Sequence, residues 1–341
     1  MLAFSIDYYG IFFGATQSVE LFCTYDFTIY CDDLQEGIWF QELDPHFENA
    51  ELEVIPSKKA EIMSCGLDEV LKYDRPDIIL KDENNVIFVL ERTVEVPSGH
   101  NVGQRYGRLL AAAEANIPIV YFGPYMAYKH GGNTAGPRYM NLRLFYSLKK
   151  ASELYNTAVT TINWPVDRDC EVLKTPAKDN RIKQYLNLFF SYYDRFGQNG
   201  LSQYIKNSAF QAEQYREQEA FARKEIRNPG QYNYPPESLE IISVSSFCNR
   251  YGLNLQLPRS IQSVVLYHIG MTYIRSDPYV GMAALYKTLY GDESNIVVLE
   301  FANIDSSSWF EQQRTSKTYR MYKTFCDAIL FRDEFIWQEK L

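Results

Sequence analysis

Asp77, Glu91, Thr93 and Glu95 stand at spacings that suit metal chemistry. Asp77 follows Pro76 and opens a short apolar run. Glu91, Thr93 and Glu95 alternate along a second run, and strand alternation places all three on one face. Hard divalent cations such as Mg²⁺ take carboxylate oxygens held by rigid strands. A cation so held speeds phosphodiester hydrolysis by activating water and neutralising the charge that develops at the phosphate. Each residue has a structural alternative. Asp77 suits a strand edge or turn, Glu91 a salt bridge to Arg92 or a distant arginine, and Glu95 a solvated strand end. For Glu91 the metal role is the stronger reading, because a carboxylate left unpaired inside a buried strand is costly.

The surrounding elements have to hold these groups. "PDIIL" and "VIFVLERTVEV" read as strands joined by the polar turn "KDENN". "NVGQRYGRLLAAAEAN" has alanines and leucines at helical spacing, and "IPIVYFGP" is a short, wholly apolar strand suited to parallel pairing. Strand, strand, helix, strand predicts a mixed α/β sheet. Upstream, "KKAEIMSCGLDEVLKY" is helix-like although Gly66 interrupts it, and "FTIYC" and "GIWFQEL" are β-like patches between acidic turns. "MLAFSIDYYGIFFGATQS" carries Asp7 and no basic start, so it reads as a first strand rather than a signal peptide.

In this order the motifs resemble the PD-(D/E)XK nuclease superfamily, the fold of many type II restriction endonucleases. Pro76-Asp77 matches the PD element, and Glu91-Arg92-Thr93, after thirteen intervening residues, matches (D/E)-X-K. The likeness runs from about Lys58 to Gly123. It implies a restriction-endonuclease-like mixed β-sheet core flanked by helices. It further implies a Mg²⁺-dependent, site-specific endodeoxyribonuclease acting on double-stranded DNA and leaving a 5′-phosphate and a 3′-hydroxyl. Asp77, Glu91 and the main-chain carbonyl of Arg92 would bind the metal, while Thr93 and Gln104 would position water or phosphate. Thr93 stands where the family usually has Lys, and Gln104, Arg105 and Arg108 on the next helix are placed to supply donors. Glu69, with Glu61, lies on the preceding helix, where family members often keep a further acid. A homodimer is expected, because one site per chain cuts both strands only in a symmetric pair. A cognate methyltransferase is implied by the family alone. A repair or structure-specific nuclease on the same fold, or a non-catalytic DNA- or protein-binding module, are the alternatives.

Composition is compatible with this. The 341 residues are 46% hydrophobic and 23% charged, enough for a sizeable core. The net charge of −9 is uneven: residues 1–96 hold 6 basic against 20 acidic side chains, and residues 97–150 hold 7 against 1. That basic stretch is the expected phosphate-facing surface, with Arg105, Arg108 and, in the Gly-rich loop Pro124 to Met140, Lys129 as DNA contacts. The loop lacks the GK[ST] ending of a phosphate-binding P-loop. Six scattered cysteines give neither zinc spacing nor a disulfide framework, His100 and His130 have no partner spacing, and no GxSxG occurs. No apolar run is long enough to span a membrane, so no membrane association and a cytoplasmic location are expected.

The second half is expected to be largely helical and to serve DNA recognition or dimerisation. Residues 1–160 would form the catalytic core with a β-rich N-terminal extension and 161–341 the helical region, unless both are one integrated domain. "DNRIKQYLNLFFSYYDRF", "QAEQYREQEAFARKEI", "SIQSVVLYHIGMTYI" and "VGMAALYKTLYG" read as helices, "NIVVLEFANI" as a strand, and "SWFEQQRTSKTYRMYKTFCDAIL" as a closing helix. "RNPGQYNYPPES" reads as a linker, and "RSDPYVGMAALYKTLYG", from Arg275, as a turn entering a helix. Arg314, Lys317, Arg320 and Lys323 make a basic stripe suited to phosphates. No internal repeat is legible.

Overall fold

The structure is a computed structural model describing residues 26–99, 101–128, 136–224, 238–272, 274 and 279–341. The expected first strand, His100, Lys129, His130, nearly all of the linker at 227–238 and the turn at 275–278 lie outside the described residues.

In the first half the elements are β1 (Thr28–Cys31), α1 (Leu34–Gln41), β2 (Glu51–Val54), α2 (Lys59–Ser64), β3 (Ile78–Lys81), β4 (Val86–Arg92), α3 (Asn101–Glu114) and β5 (Ile119–Gly123). The short strands β6 (Met126–Ala127) and β7 (Arg138–Tyr139) follow, then α4 (Leu142–Leu154) and β8 (Val159–Asn163). Six strands form a mixed sheet in the order β2-β1-β3-β4-β5-β8. The β3–β4 turn is closed by the Asp82 side chain, which accepts from the backbone N–H of Asn84 and Asn85 at 3.1 and 2.8 Å. "GIWFQEL" lies largely in helix α1, capped by Asp33, and not in a strand. The helix after Lys58 stops at Ser64, and Gly66 turns the chain at φ +68°.

Helices α5 (Asn180–Phe196), α6 (Leu201–Lys206) and α7 (Ala209–Lys224) come next. Phe189, Phe190 and Tyr185 of α5 pack with Phe88, Leu90 and Phe122 on the outer face of the first sheet. α5 thus covers the first sheet with residues from beyond position 160.

After the helices α5, α6 and α7, the second half is mixed α/β from Leu239 onward rather than largely helical. It is built on β9 (Leu239–Ser243), α8 (Val244–Tyr251), β10 (Ser263–His268), α9 (Tyr279–Tyr290), β11 (Asn295–Phe301), α10 (Ser306–Phe310), α11 (Lys317–Thr324), β12 (Ala328–Phe331) and β13 (Phe335–Trp337). These strands form a second mixed sheet, ordered β13-β12-β11-β10-β9. "SVVLYH" is a central strand, not a helix. Its residues Val264 to Tyr267 are all buried, and a strand covered on both faces has no alternation to separate it from a buried helix. The expected closing helix divides into α10, α11 and β12.

α3, α4, α9 and α11 lie between the two sheets, and one apolar cluster runs through the layer and onto both inner faces. That cluster takes residues from before and after position 160. α3 crosses α9 with backbones touching: a Cβ on Gly103 would lie 2.7 Å from the carbonyl carbon of Gly281, and one on Gly281 would collide with the Gly103 carbonyl. Among the described residues no helix is long and apolar enough to cross a membrane.

Candidate active site

Register places the acids. β1 pairs with β3 so that Cys31 faces Ile78, and β3 with β4 so that Ile78 faces Leu90. One step further, Asp77 lies beside Glu91, and the Asp32 N–H donates to the Asp77 carbonyl at 2.9 Å. Glu91 in turn faces Tyr121 of β5. Asp77 and Glu91 thus share the inner face of the sheet, beneath α3.

α3 lowers two arginines onto them, one turn apart. Arg108 Nη1 donates to Asp77 Oδ1 at 3.1 Å and to Glu91 Oε1 at 3.0 Å. Arg105 Nη1 donates to the same Glu91 oxygen, and its Nη2 to Thr93 Oγ1 at 3.3 Å. Asp77 Oδ2 accepts the Arg92 backbone N–H at 2.6 Å. Asp77 is 6% exposed and Glu91 0%, and Glu91 Oε2 is buried without a hydrogen-bond partner among the described residues.

The strand ends at Arg92, so alternation does not carry through to Glu95. Thr93 and Glu95 form a tight turn, with the Glu95 N–H donating to Thr93 Oγ1 at 3.1 Å. Thr93 is buried, and Glu95 is exposed on the wall of a cleft of about 540 Å³. The Arg92 side chain turns to the opposite face of the sheet, its guanidinium 4.2 Å from the Trp39 ring centre and 3.6 Å from a Glu36 oxygen.

Asp77 shares the cleft with Asp32, Asp33, Glu36 and Glu95, while α3 contributes Gln104, Arg105 and Arg108 to its wall. Glu91 lies behind the arginines. Loss of water and the nearby Asp77 push the Glu36 carboxyl up to about 7, against the Arg92 charge. Burial raises Asp77 too, opposed by the Arg92 N–H and by Arg108. Glu91 rises to about 8, from burial first and Asp77 second, with Arg105 and Arg108 opposing. All three shifts share a sign and a first cause, burial away from water, and a bound cation would offset them.

Sequence reasoning missed Glu36, Asp32 and Asp33. Their signal was the acidic run "CDDLQE" directly after a β-like patch. Glu69 is not brought to the site. It is exposed beside another cavity, lined by Val86 and Pro118 at the opposite ends of β4 and β5. Glu61 is exposed and pairs with Lys58.

Of the basic stretch, Arg105 and Arg108 face the carboxylates from the cleft wall, Arg143 is buried, Lys150 donates to the Leu289 carbonyl at 3.0 Å and Lys149 is exposed. α3 and α4 sit between the two sheets, which turns several of these positions inward. In the later stripe, Lys317 pairs with Asp74 at 2.6 Å, Arg320 donates to the Lys72 carbonyl and Lys323 to that of Leu341, while Arg314 is exposed in the turn before α11.

Among the described residues no three His, Cys, Asp or Glu side chains are grouped as a ready metal site. The carboxylates that line the cleft are Asp32, Asp33, Glu36, Asp77 and Glu95, oxygen donors of the kind Mg²⁺ takes, whereas Glu91 is buried behind Arg105 and Arg108. Compared with known proteins, the chain matches no family model, no curated protein and no solved structure.

Proposed function

We propose that this cleft is the centre of a Mg²⁺-dependent endodeoxyribonuclease of restriction-enzyme type, hydrolysing phosphodiesters in double-stranded DNA. One observation carries the reading. Asp77 and Glu91, fourteen positions apart, lie side by side on neighbouring strands, Asp77 on a cleft wall and Glu91 buried behind it, and their carboxyls and that of Glu36 are pushed upward. Perturbed carboxyls converging in a cleft are what acid–base and metal chemistry require.

Asp77 and the Arg92 main-chain carbonyl are the groups that would hold Mg²⁺, with Glu91 behind them, its Oε1 now taken by Arg105 and Arg108. When bound, the cation activates water and offsets charge at the phosphate. Glu36, pushed up to about 7 on the same wall, is poised near neutrality to take a proton from the attacking water on a carboxylate oxygen. Arg105 compensates for the missing family lysine, since its guanidinium sits against both Glu91 and Thr93 Oγ1. Thr93 orients Arg105, and Gln104 offers an amide to phosphate from the cleft wall.

Incubation with supercoiled and linear duplex DNA in Mg²⁺ tests this. Wild type should cut, Asp77→Asn should not, and the variant should melt near the wild-type temperature. Cleavage by Asp77→Asn at the wild-type rate, or no cleavage by wild type in Mg²⁺ or Mn²⁺, overturns the assignment.

A further inference from the structure

The two halves share one path. β3, β4, α3, β5, α4 and β8 run as an antiparallel pair, helix, parallel strand, helix and parallel strand, neighbours in the order β3-β4-β5-β8. β9, β10, α9, β11, α11 and β12 repeat that route, neighbours in the order β9-β10-β11-β12, with α8 and α10 added in the connections.

The halves meet through equivalent parts. Gly103 is the third residue of α3 and Gly281 the third of α9, and the helices cross at this pair. α4 packs on α9, and Met321 of α11 lies where a Cβ on Gly107 of α3 would stand 3.5 Å from its terminal methyl. This reciprocity is that of an isologous interface, in which each partner presents the same patch.

Superposing the routes pairs site with site. Asp77 stands opposite Glu91, and Leu239 opposite Tyr267. Arg105 and Arg108 lie two and five residues past Gly103, and Ala283 and Tyr286 two and five past Gly281. The contacts correspond as well. Arg108 reaches Glu91 at 3.0 Å, and the Tyr286 ring packs edge-on against Tyr267, centroids 4.9 Å apart. Leu239, Tyr267, Ala283 and Tyr286 are all buried. The second half holds an apolar plug where the first holds the carboxylates.

We propose that the chain is its own dimer, with one centre kept and its counterpart closed, and that it acts as a single molecule breaking one DNA strand per encounter. The strand count rests on the nuclease reading; the built-in dimer does not. The helix face that a homodimer of such units would use is already covered by the chain's own second half.

Two measurements on the full chain separate these parts. Light scattering at micromolar protein should give the mass of one chain, 39.7 kDa. A stable two-chain mass overturns the built-in dimer, whatever the DNA result. On supercoiled plasmid with Mg²⁺, open circles should accumulate before linear DNA, and a threefold excess of Asp77→Asn protein mixed with wild type, at plasmid in excess over both, should leave the wild-type rate unchanged. Linear product formed without an open-circle intermediate, or marked inhibition through mixed dimers, overturns single-chain action. If nothing is cut, the nuclease reading and the strand count fall together, and the mass alone decides the built-in dimer.

Discussion

At the carboxyl ends of β4 and β10 the same turn of the fold is filled in two ways. In the first half, Asp77, Glu91, Arg105 and Arg108 form a buried ionic group; in the second, Leu239, Tyr267, Ala283 and Tyr286 form an apolar one. The apolar version closes the equivalent sheet–helix interface without charges. Buried ion pairs seldom stabilise more than well-packed apolar residues, because desolvation offsets their attraction. The proposed function gives the ionic version a role that folding alone does not require, and each test below asks whether the two regions divide in that way.

The sharpest contrast is in activity. Asp77→Asn should lower cutting by ~100-fold or more, the scale on which metal sites respond to loss of even a supporting group. Tyr286→Phe in the counterpart should leave the rate within a factor of about 2, because it removes one hydroxyl far from the cleft. Comparable losses in single-turnover assays would mean that both regions serve the reaction.

Stability should divide the other way. Glu91→Ala leaves the Arg105 guanidinium beneath α3 without a carboxylate and Arg108 with Asp77 alone, and breaking a buried pair in this way typically costs about 3–5 kcal/mol. Writing the second half's residues into the first, as Asp77→Leu, Glu91→Tyr, Arg105→Ala and Arg108→Tyr together, should recover most of that stability and none of the activity. Denaturant unfolding checks both. A quadruple variant less stable than Glu91→Ala would break the equivalence of the two regions.

The lysine substitution is a smaller test. Thr93→Lys alone crowds a third cation against Arg105 and Arg108 and should cut several-fold more slowly than wild type. Combined with Arg105→Ser it should recover much of that loss, since one cation again faces Glu91. Additive losses in the double variant would mean that Arg105 does not do the work of a lysine at position 93.

The smallest effect is in pH. The Glu91 carboxyl is held at about 8 in the folded chain, against an ordinary 4.5. The folded state therefore keeps a proton that the unfolded state gives up across this range. Its stabilising contribution is full below about 4.5 and is lost as pH rises to about 8. Melting temperature without metal should fall over that window, and Glu91→Gln, which cannot ionise, should flatten the fall by a few degrees. Mg²⁺, which displaces the proton, should raise the melting temperature more at pH 8.5 than at pH 6. An unchanged slope in Glu91→Gln would place the titration elsewhere.

Much of the site was legible because it is local. A polar turn between two apolar runs sets the β3–β4 register, and that register alone brings Asp77 beside Glu91. Glu36 was not legible, because it enters from α1 only after β1 pairs with β3. Nor was the fate of the basic stretch: its charge is in the sequence, but the side of each helix that faces water depends on a second sheet contributed from beyond residue 238.

The sequence by itself determined the β-β-α-β unit of the first half, since hydrophobic period, turn residues and helix formers agree along the continuous chain from Ile78 to Gly123. Only the tertiary structure decided that the unit occurs twice. The counterpart keeps the route and the helix crossing at Gly281 but shares almost none of the side chains of the first, because packing constrains volume and backbone approach far more tightly than residue identity. Two glycines meeting across a helix pair are invisible as a pattern until the chain brings them together.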